Sequence, residues 1–236
     1  MKRSEATASV VLVHGAWADG SSWGHVIKPL QSRGLKVLAA PIPLTSLSDD
    51  VAALERALER ADGPVVLVGH AYAGAVIGAS VNGRVRSLVF IAALAPDEGE
   101  TVGEIFYRDK PHPEAPELSP DSYDFIWLPD ERFGAAFCQH ASAEQAALLA
   151  ATQRPIAVAC IQEKAPRPAW KTKSSWYLVA QEDRMINPAT QLFLAGRMGA
   201  QTRSEKVDHA PLVTAPELVV EMILEAVTRA TARPNT

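Results

Sequence analysis

The stretch Val65-Val-Leu-Val-Gly69-His70-Ala71-Tyr72-Ala73-Gly74 decides the fold. It opens as an apolar, β-branched run typical of a buried strand and continues as a helical run. In hydrolytic enzymes, the sequence of such a strand-to-helix elbow is Gly-x-Ser-x-Gly, because the sharp turn needs small residues two positions before and two positions after the nucleophile. Gly69 and Ala73 occupy the small positions, and Ala71 occupies the serine position. The stretch therefore predicts a nucleophile elbow that lacks the serine hydroxyl. The alternative is a glycine-rich turn between a strand and a helix that has no catalytic role.

Short apolar strands alternate with helical patterns along most of the chain. Strands are predicted at residues 9–13, 35–40, 65–68, 85–93, 174–180 and 202–206, and helices at about 21–32, 46–63, 71–81, 188–198 and 215–230. Strands that are buried on both faces read as continuous apolar runs, and the intervening helices supply the crossovers. The predicted fold class is therefore α/β, with a mostly parallel sheet flanked by helices.

The segment from residue 96 to residue 169 has a different composition. It is rich in proline and aromatic residues, and its residues 141–151 have strong helical propensity. A structureless loop of this length is unusual inside a compact domain. We therefore expect one domain over residues 1–236, with a small, mostly helical cap inserted at 96–169 after the fourth strand.

Composition excludes several classes of protein. The 236 residues are 47% apolar and 21% charged with a net charge of −4, which fits an ordinary globular domain and disfavours binding to nucleic acid. Cys138 and Cys160 supply neither a disulfide framework nor a zinc ligand set, so a cytoplasmic location is expected. Met1–Glu5 shows no apolar region before a cleavage site, so no secretory signal is expected. Residues 64–82 fit a buried strand and helix better than a membrane span. The sequence contains no Gly-x-Gly-x-x-Gly motif after a strand and no Walker loop, so no nucleotide cofactor is expected. The sequence is compatible with a homodimer.

Three further segments accompany the elbow. His14-Gly15-Ala16-Trp17 follows the first strand, where a backbone N–H can face the elbow and complete an oxyanion hole. Asp183 follows a predicted strand, and His209 lies in a loop before the last helix. The order of elbow, acid and histidine is the chain order of hydrolases built around this elbow. Each segment alone is a weak signal, and together they predict a catalytic site.

These motifs resemble the α/β-hydrolases, in particular a small bacterial esterase-like group related to plant hydroxynitrile lyases, methyl-ester esterases and methylketone synthase. The resemblance covers nearly the whole chain and rests on four segments, which are His14–Trp23, Gly69–Tyr72, Ala93–Glu100 and Asp208–Leu212. It implies that Asp183 is the triad acid and His209 the base, and that Ala16 and Tyr72 provide the oxyanion-hole N–H groups. Most members carry serine where this chain has Ala71.

Several roles stay open at this point. Asp208 and Glu182 are alternative acids, and Cys138 is a weak alternative nucleophile. His70 fits packing better than catalysis. The residues expected to contact the substrate are Trp17, Ser22, Phe125 and Trp127, although helix capping or packing explains each of them equally well.

The sequence supports three functional hypotheses. The first is a carboxylester or related acyl hydrolase whose nucleophile is replaced by Ala71, an inactivated form that retains its small-molecule substrate. The second is a natural serine-free enzyme in which His209 transfers protons, as in a decarboxylase, a lyase or a cyclase. The third is a non-catalytic small-molecule binding protein on the same scaffold.

Overall fold

The central sheet of the computed structural model, which describes residues 8–232, has six parallel strands in the order β2-β1-β3-β4-β7-β8. The N-terminal Met1–Glu5, for which no secretory signal is predicted, lies outside the described residues. The strands are β1 (Ser9–Val13), β2 (Lys36–Ala40), β3 (Val65–His70), β4 (Val85–Ile91), β7 (Ser174–Ala180) and β8 (Gln201–Glu205). Because all six run parallel, their carboxyl ends meet at one edge, where ligands of open α/β sheets bind.

Helices cover both faces of the sheet. They are α1 (Gly24–Gln31), α2 (Leu47–Leu58), α3 (Ala73–Gly78), α8 (Pro188–Arg197), α9 (Pro211–Thr214) and α10 (Pro216–Thr231). Alternate residues of β1 point to opposite faces, so Val10 and Leu12 pack with α1 and α10, whereas Val11 and Val13 pack with α2 and α3. The predicted α/β class with a parallel sheet is confirmed.

The segment between β4 and β7 forms a separate layer over the carboxyl edge. It holds α4 (Val102–Phe106), α5 (Asp130–Phe137), α6 (Ala143–Ala151) and α7 (Val158–Gln162), and a two-stranded antiparallel sheet of β5 (Phe125–Ile126) and β6 (Ile156–Ala157). Helix α6 begins with a reciprocal cap between Ser142 and Gln145. None of the helices in residues 8–232 has the length and apolar character of a membrane span.

Three helices differ from their predicted bounds. Helix α2 ends at Leu58 rather than at residue 63. Helix α3 covers Ala73–Gly78 rather than 71–81, because Ala71 adopts a left-handed conformation and Glu55 binds the side chain of Ser80 at the other end. The helix predicted from about residue 21 begins instead as a short 3₁₀ helix at Gly20–Trp23, and α1 follows it. Asp19 caps this 3₁₀ helix, because its carboxylate accepts the Ser21 N–H at 2.8 Å.

Candidate active site

The elbow at Ala71 is strained and firmly held. Ala71 has φ of +50°, a region that residues with a side chain rarely adopt. Its N–H donates to the Ile91 carbonyl at 3.1 Å, and its carbonyl accepts from the Leu94 N–H at 2.9 Å. Such strain persists only where the surroundings impose it, and it occurs preferentially at functional sites. The turn between β3 and α3 therefore holds Ala71 in a fixed, strained backbone conformation.

Two glycines permit the close approach of segments around the elbow. A Cβ on Gly74 would lie 2.3 Å from the Leu94 carbonyl oxygen, so only glycine lets α3 pack against the segment after β4. A Cβ on Gly15 would lie 2.9 Å from the Cβ of Ala71. The loop after β1 therefore runs directly against the elbow.

His209 and Asp183 form a buried pair beside the elbow. The two residues are each 1% exposed, and Nδ1 of His209 lies 2.8 Å from Oδ2 of Asp183. Because a carboxylate only accepts hydrogen bonds, Nδ1 carries the proton of this bond, and in the neutral imidazole Nε2 then holds the lone pair. The carboxylate also accepts the N–H groups of Met185 at 2.7 Å and Ile186 at 2.8 Å, and the Gln191 amide at 2.7 Å. The pair has the orientation that a general base requires.

His70, inside the elbow, supports the loop that carries His209. Its Nε2 lies 2.7 Å from the His209 carbonyl oxygen and donates to it, since a carbonyl only accepts. Burial and the neighbouring His209 lower the pKa of His70 to about 3, so the ring is neutral. The Phe137 ring meets the His209 ring edge-on at 4.9 Å between centroids. His70 therefore has a positioning role that the sequence does not reveal.

The two alternative acids bind other groups. Asp208 is fully buried and accepts the His140 N–H at 2.9 Å and the Thr214 hydroxyl at 2.6 Å. The Glu182 carboxylate lies 2.9 Å from Nε2 of His140. The structure thus brings Asp183, and neither of these residues, to the imidazole of His209. Asp208 instead ties the histidine loop to the inserted segment.

Two residues that line the same cavity as the imidazole have backbone N–H groups without a protein acceptor among the described residues. They are Ala16 and Tyr72, which both line the cavity above Ala71. The next residue, Trp17, fixes this loop to the inserted segment, because its N–H donates to the Arg154 carbonyl and its indole donates to the Ile126 carbonyl, both at 3.0 Å. Two free donors beside a base are the elements of an oxyanion hole.

A cavity of about 560 Å³, counting the part open to solvent, lies between the carboxyl edge of the sheet and the inserted segment. Its walls are almost entirely apolar, and the sheet and the insertion both contribute. The lining residues are Ala16, Trp17, Ala71, Tyr72, Leu94, Val102, Gly103, Phe106, Tyr107, Leu118, Ile126, Ile156, Ile161, Met185, Ile186 and His209.

Of the four residues expected to contact substrate, the structure places only Trp17 in the cavity wall. Ser22 instead donates its hydroxyl to the Asp19 carbonyl at 2.7 Å. Phe125 and Trp127 flank Ile126, and because side chains alternate along extended chain, Ile126 faces the cavity while its neighbours face away. Trp127 is 49% exposed. Ser22, Phe125 and Trp127 thus lie outside this cavity wall, and their contact with a substrate stays a prediction.

The described residues contain no cluster of three or more His, Cys, Asp or Glu side chains arranged to hold a metal ion. Both cysteines are buried, and burial raises the pKa of each thiol to about 12. Neither thiol is ionised at neutral pH, so Cys138 lacks the reactivity of a nucleophile.

Comparison with known proteins fits this geometry. Residues 10–222 match the model of the Alpha/beta hydrolase family. Carbendazim hydrolyzing esterase of Nocardioides is 30% identical over 48% of this chain and 51% of its own length, and Salicylic acid-binding protein 2 of Nicotiana tabacum is 26% identical over 91% and 95%. The solved structure of polyneuridine aldehyde esterase superimposes with a TM-score of 0.79 at 20% identity, covering 93% of this chain and 98% of that one. The protein therefore belongs to the alpha/beta hydrolase family and is related to its esterases.

Proposed function

We propose that the cavity binds a carboxylic ester or a related acyl compound, with the carbonyl carbon above Ala71 and the carbonyl oxygen on the N–H groups of Ala16 and Tyr72. One observation carries this proposal. A strained left-handed residue, two free N–H groups and an oriented imidazole converge on a single apolar cavity. Each has a task in acyl transfer: placing the nucleophile, stabilising the oxyanion and moving the proton.

Ala71 determines what this chain does with its ligand. With serine at this position, the oxygen would attack the carbonyl carbon, His209 would take the proton, and the tetrahedral oxyanion would lie on the two N–H groups. A methyl group has no lone pair, so no acyl-enzyme forms. Loss of such a nucleophile lowers turnover by about 10⁶-fold while the oxyanion donors remain. We therefore infer a form that binds esters and scarcely hydrolyses them.

The cavity wall indicates the class of ester. Apart from backbone groups, its polar atoms are few, the main one being the imidazole of His209. A charged substituent would lose its hydration without gaining a partner, which is costly. The ligand proposed here is thus a neutral ester with an apolar or aromatic acyl part. Two related proteins, carbendazim hydrolyzing esterase and polyneuridine aldehyde esterase, are esterases by name.

The experiment restores the missing oxygen. Ala71→Ser is expected to hydrolyse short aryl esters, and the unchanged chain is expected to bind them with turnover lower by several orders of magnitude. The double variant Ala71→Ser with His209→Ala is the matched control, because it keeps the hydroxyl and removes the base. An Ala71→Ser protein that folds but is inert toward a broad ester panel would contradict the hydrolase proposal.

A second candidate rests on the intact pair of His209 and Asp183. A protein that only bound its ligand would not need a base whose tautomer is fixed by a buried carboxylate. In this candidate, Nε2 of His209 removes a proton from carbon next to a carbonyl, the enolate oxygen lies on the two N–H groups, and the proton returns to a product carbon. Exchange of substrate C–H for deuterium from D₂O, lost in His209→Ala, would favour it. If neither chemistry is found, the cavity is a binding site only.

A further inference from the structure

A fully buried carboxylate lies behind the elbow and is not part of the site described above. Asp50, in the first turn of α2, is 0% exposed. Its Oδ2 accepts the Tyr72 hydroxyl at 2.7 Å, and its Oδ1 accepts the Leu44 N–H at 2.7 Å. The thiol of Cys160 lies 3.7 Å from Oδ2. Asp50 thus contacts the side chain of a residue that lines the cavity.

The same carboxylate also supports the opposite wall of the cavity. Leu44 has φ of +62°, and its carbonyl accepts the Ala157 N–H of β6 at 3.0 Å. The neighbour of Ala157 in β6 is Ile156, which lines the cavity. Cys160 lies on α7 next to Ile161, which lines it too. One side chain therefore connects the oxyanion residue with two elements of the inserted segment.

Docking of α2 against α3 does not require this carboxylate. Glu55, one turn further along α2, already joins the two helices, because it accepts the Ser80 hydroxyl at 2.7 Å and the Asn82 amide at 3.1 Å near the far end of α3. Within the described residues, Asp50 has no ion-pair partner, although burying an unpaired carboxylate is costly. Buried ionisable groups retained at such a cost concentrate at functional sites.

We propose that Asp50 is a positioning residue, which sets the oxyanion hole by anchoring the Tyr72 side chain and, through Leu44, the facing wall of the cavity. This inference deepens the proposed function and rests on it for the identity of the ligand. An oxyanion donor must lie 2.7–3.1 Å from the developing charge, and misplacement by about 1 Å can lower a rate by about 100-fold. The Tyr72 N–H shares a peptide plane with the Ala71 carbonyl, which accepts the Leu94 N–H at 2.9 Å, and the Tyr72 hydroxyl on Asp50 holds the same residue from its other side.

Asp50→Asn is the first test variant, because it keeps the size of the side chain, removes the charge and replaces one acceptor oxygen with an NH₂ donor, so it can no longer accept both the Tyr72 hydroxyl and the Leu44 N–H. Tyr72→Phe is the second, since it removes the same hydrogen bond from the other side. Glu55→Gln is the matched control on the same helix. It perturbs the contact between α2 and α3 without touching the elbow.

The first measurement needs no ligand. Backbone ¹⁵N relaxation of the full chain gives order parameters for the Ala71 and Tyr72 amides. We expect values of about 0.85, as in rigid backbone, to fall toward 0.6 in Asp50→Asn and in Tyr72→Phe, and to stay unchanged in Glu55→Gln. Unchanged order parameters of the Ala71 and Tyr72 amides in both Asp50→Asn and Tyr72→Phe would overturn the proposal.

The second measurement compares two probes of similar size by titration calorimetry. Phenyl acetate is planar and neutral at its reacting carbon, whereas phenyl methylphosphonate is a tetrahedral anion that resembles the oxyanion and needs no serine. Asp50→Asn is expected to weaken phosphonate binding at least tenfold and acetate binding less than twofold. Tyr72→Phe should weaken the binding of the two probes to the same extents. The double variant should weaken phosphonate binding little further, because both changes remove the same hydrogen bond between Tyr72 and Asp50.

The outcomes separate this inference from the proposed function. Parallel weakening of both probes would mean a general loss of structure and would overturn the positioning role. If the unchanged chain binds neither probe, the ester proposal fails, and the order parameters alone decide the role of Asp50. Selective loss of phosphonate affinity, with Glu55→Gln unaffected, supports both.

Discussion

Asp50→Asn should remove part of the pH dependence of the free energy of unfolding, because the buried carboxyl titrates differently in the folded and the unfolded chain. Burial raises the pKa of Asp50 from 3.8 to about 6, although hydrogen bonds from Tyr72, Leu44 and Cys160 act in the opposite direction and Asp49 adds a small upward effect. The folded chain therefore binds this proton more tightly than the unfolded chain. Asparagine has no proton to gain or lose in this range.

The size of the effect follows from the difference in pKa. About two pKa units correspond to roughly 3 kcal/mol. Because the folded pKa is the higher one, the favourable contribution of Asp50 is complete below about pH 4 and is lost as the pH rises through about 6. The free energy of unfolding of the unchanged chain, minus that of Asp50→Asn, should thus fall by about 2–3 kcal/mol between pH 4 and pH 8.

Urea unfolding of both proteins at half-unit pH steps measures this difference directly. Gly24→Ala is the control. Gly24 is exposed, and a Cβ there meets no atom within 4 Å, so its effect should not depend on pH. A difference for Asp50→Asn that is flat within about 0.5 kcal/mol, or that rises with pH, would refute the reasoning, since either result means that the folded pKa is not raised.

Two further predictions concern packing and the cavity wall. Gly74→Ala should lower the free energy of unfolding in urea by about 3 kcal/mol, because its Cβ would lie 2.3 Å from the Leu94 carbonyl oxygen. The control Gly24→Ala should not lower it, and equal stabilities of the two variants would contradict the close approach at Gly74. Trp127→Ala should leave the calorimetric affinity for phenyl acetate within twofold, while Ile126→Ala should weaken it about tenfold through lost apolar contact. The opposite ranking would return Trp127 to the cavity wall.

The elbow and its partners could be predicted from the sequence because each lies where a strand ends. Buried parallel strands appear as short apolar runs, so Ala71 and Asp183 could be placed at one edge of the sheet without coordinates. The loop position of His209 followed from the chain order. Asp208 and Glu182 could not be separated from Asp183 by spacing, because the choice depends on which carboxylate turns toward the imidazole.

The cavity wall and the positioning residues could not be predicted in the same way. Strand β5 has only two residues, which is too short for alternation to show that Ile126 rather than Trp127 faces inward. Asp50 lies in the first turn of a helix, where acidic residues are common, so its position alone does not mark it. Its burial arises only when the Leu44 turn and the Tyr72 ring arrive from distant parts of the chain, and no local pattern encodes such a contact.

The most direct test of the central claim is covalent labelling by a fluorophosphonate. In Ala71→Ser, the new hydroxyl should displace fluoride from phosphorus, and His209 should take the hydroxyl proton. Intact-mass and peptide analysis should then show one phosphonyl group per chain, on residue 71, with labelling abolished in the unchanged chain and strongly slowed when His209→Ala is added. A folded Ala71→Ser protein that stays unlabelled, or that is labelled elsewhere, would contradict the claim that this site is built around a missing serine.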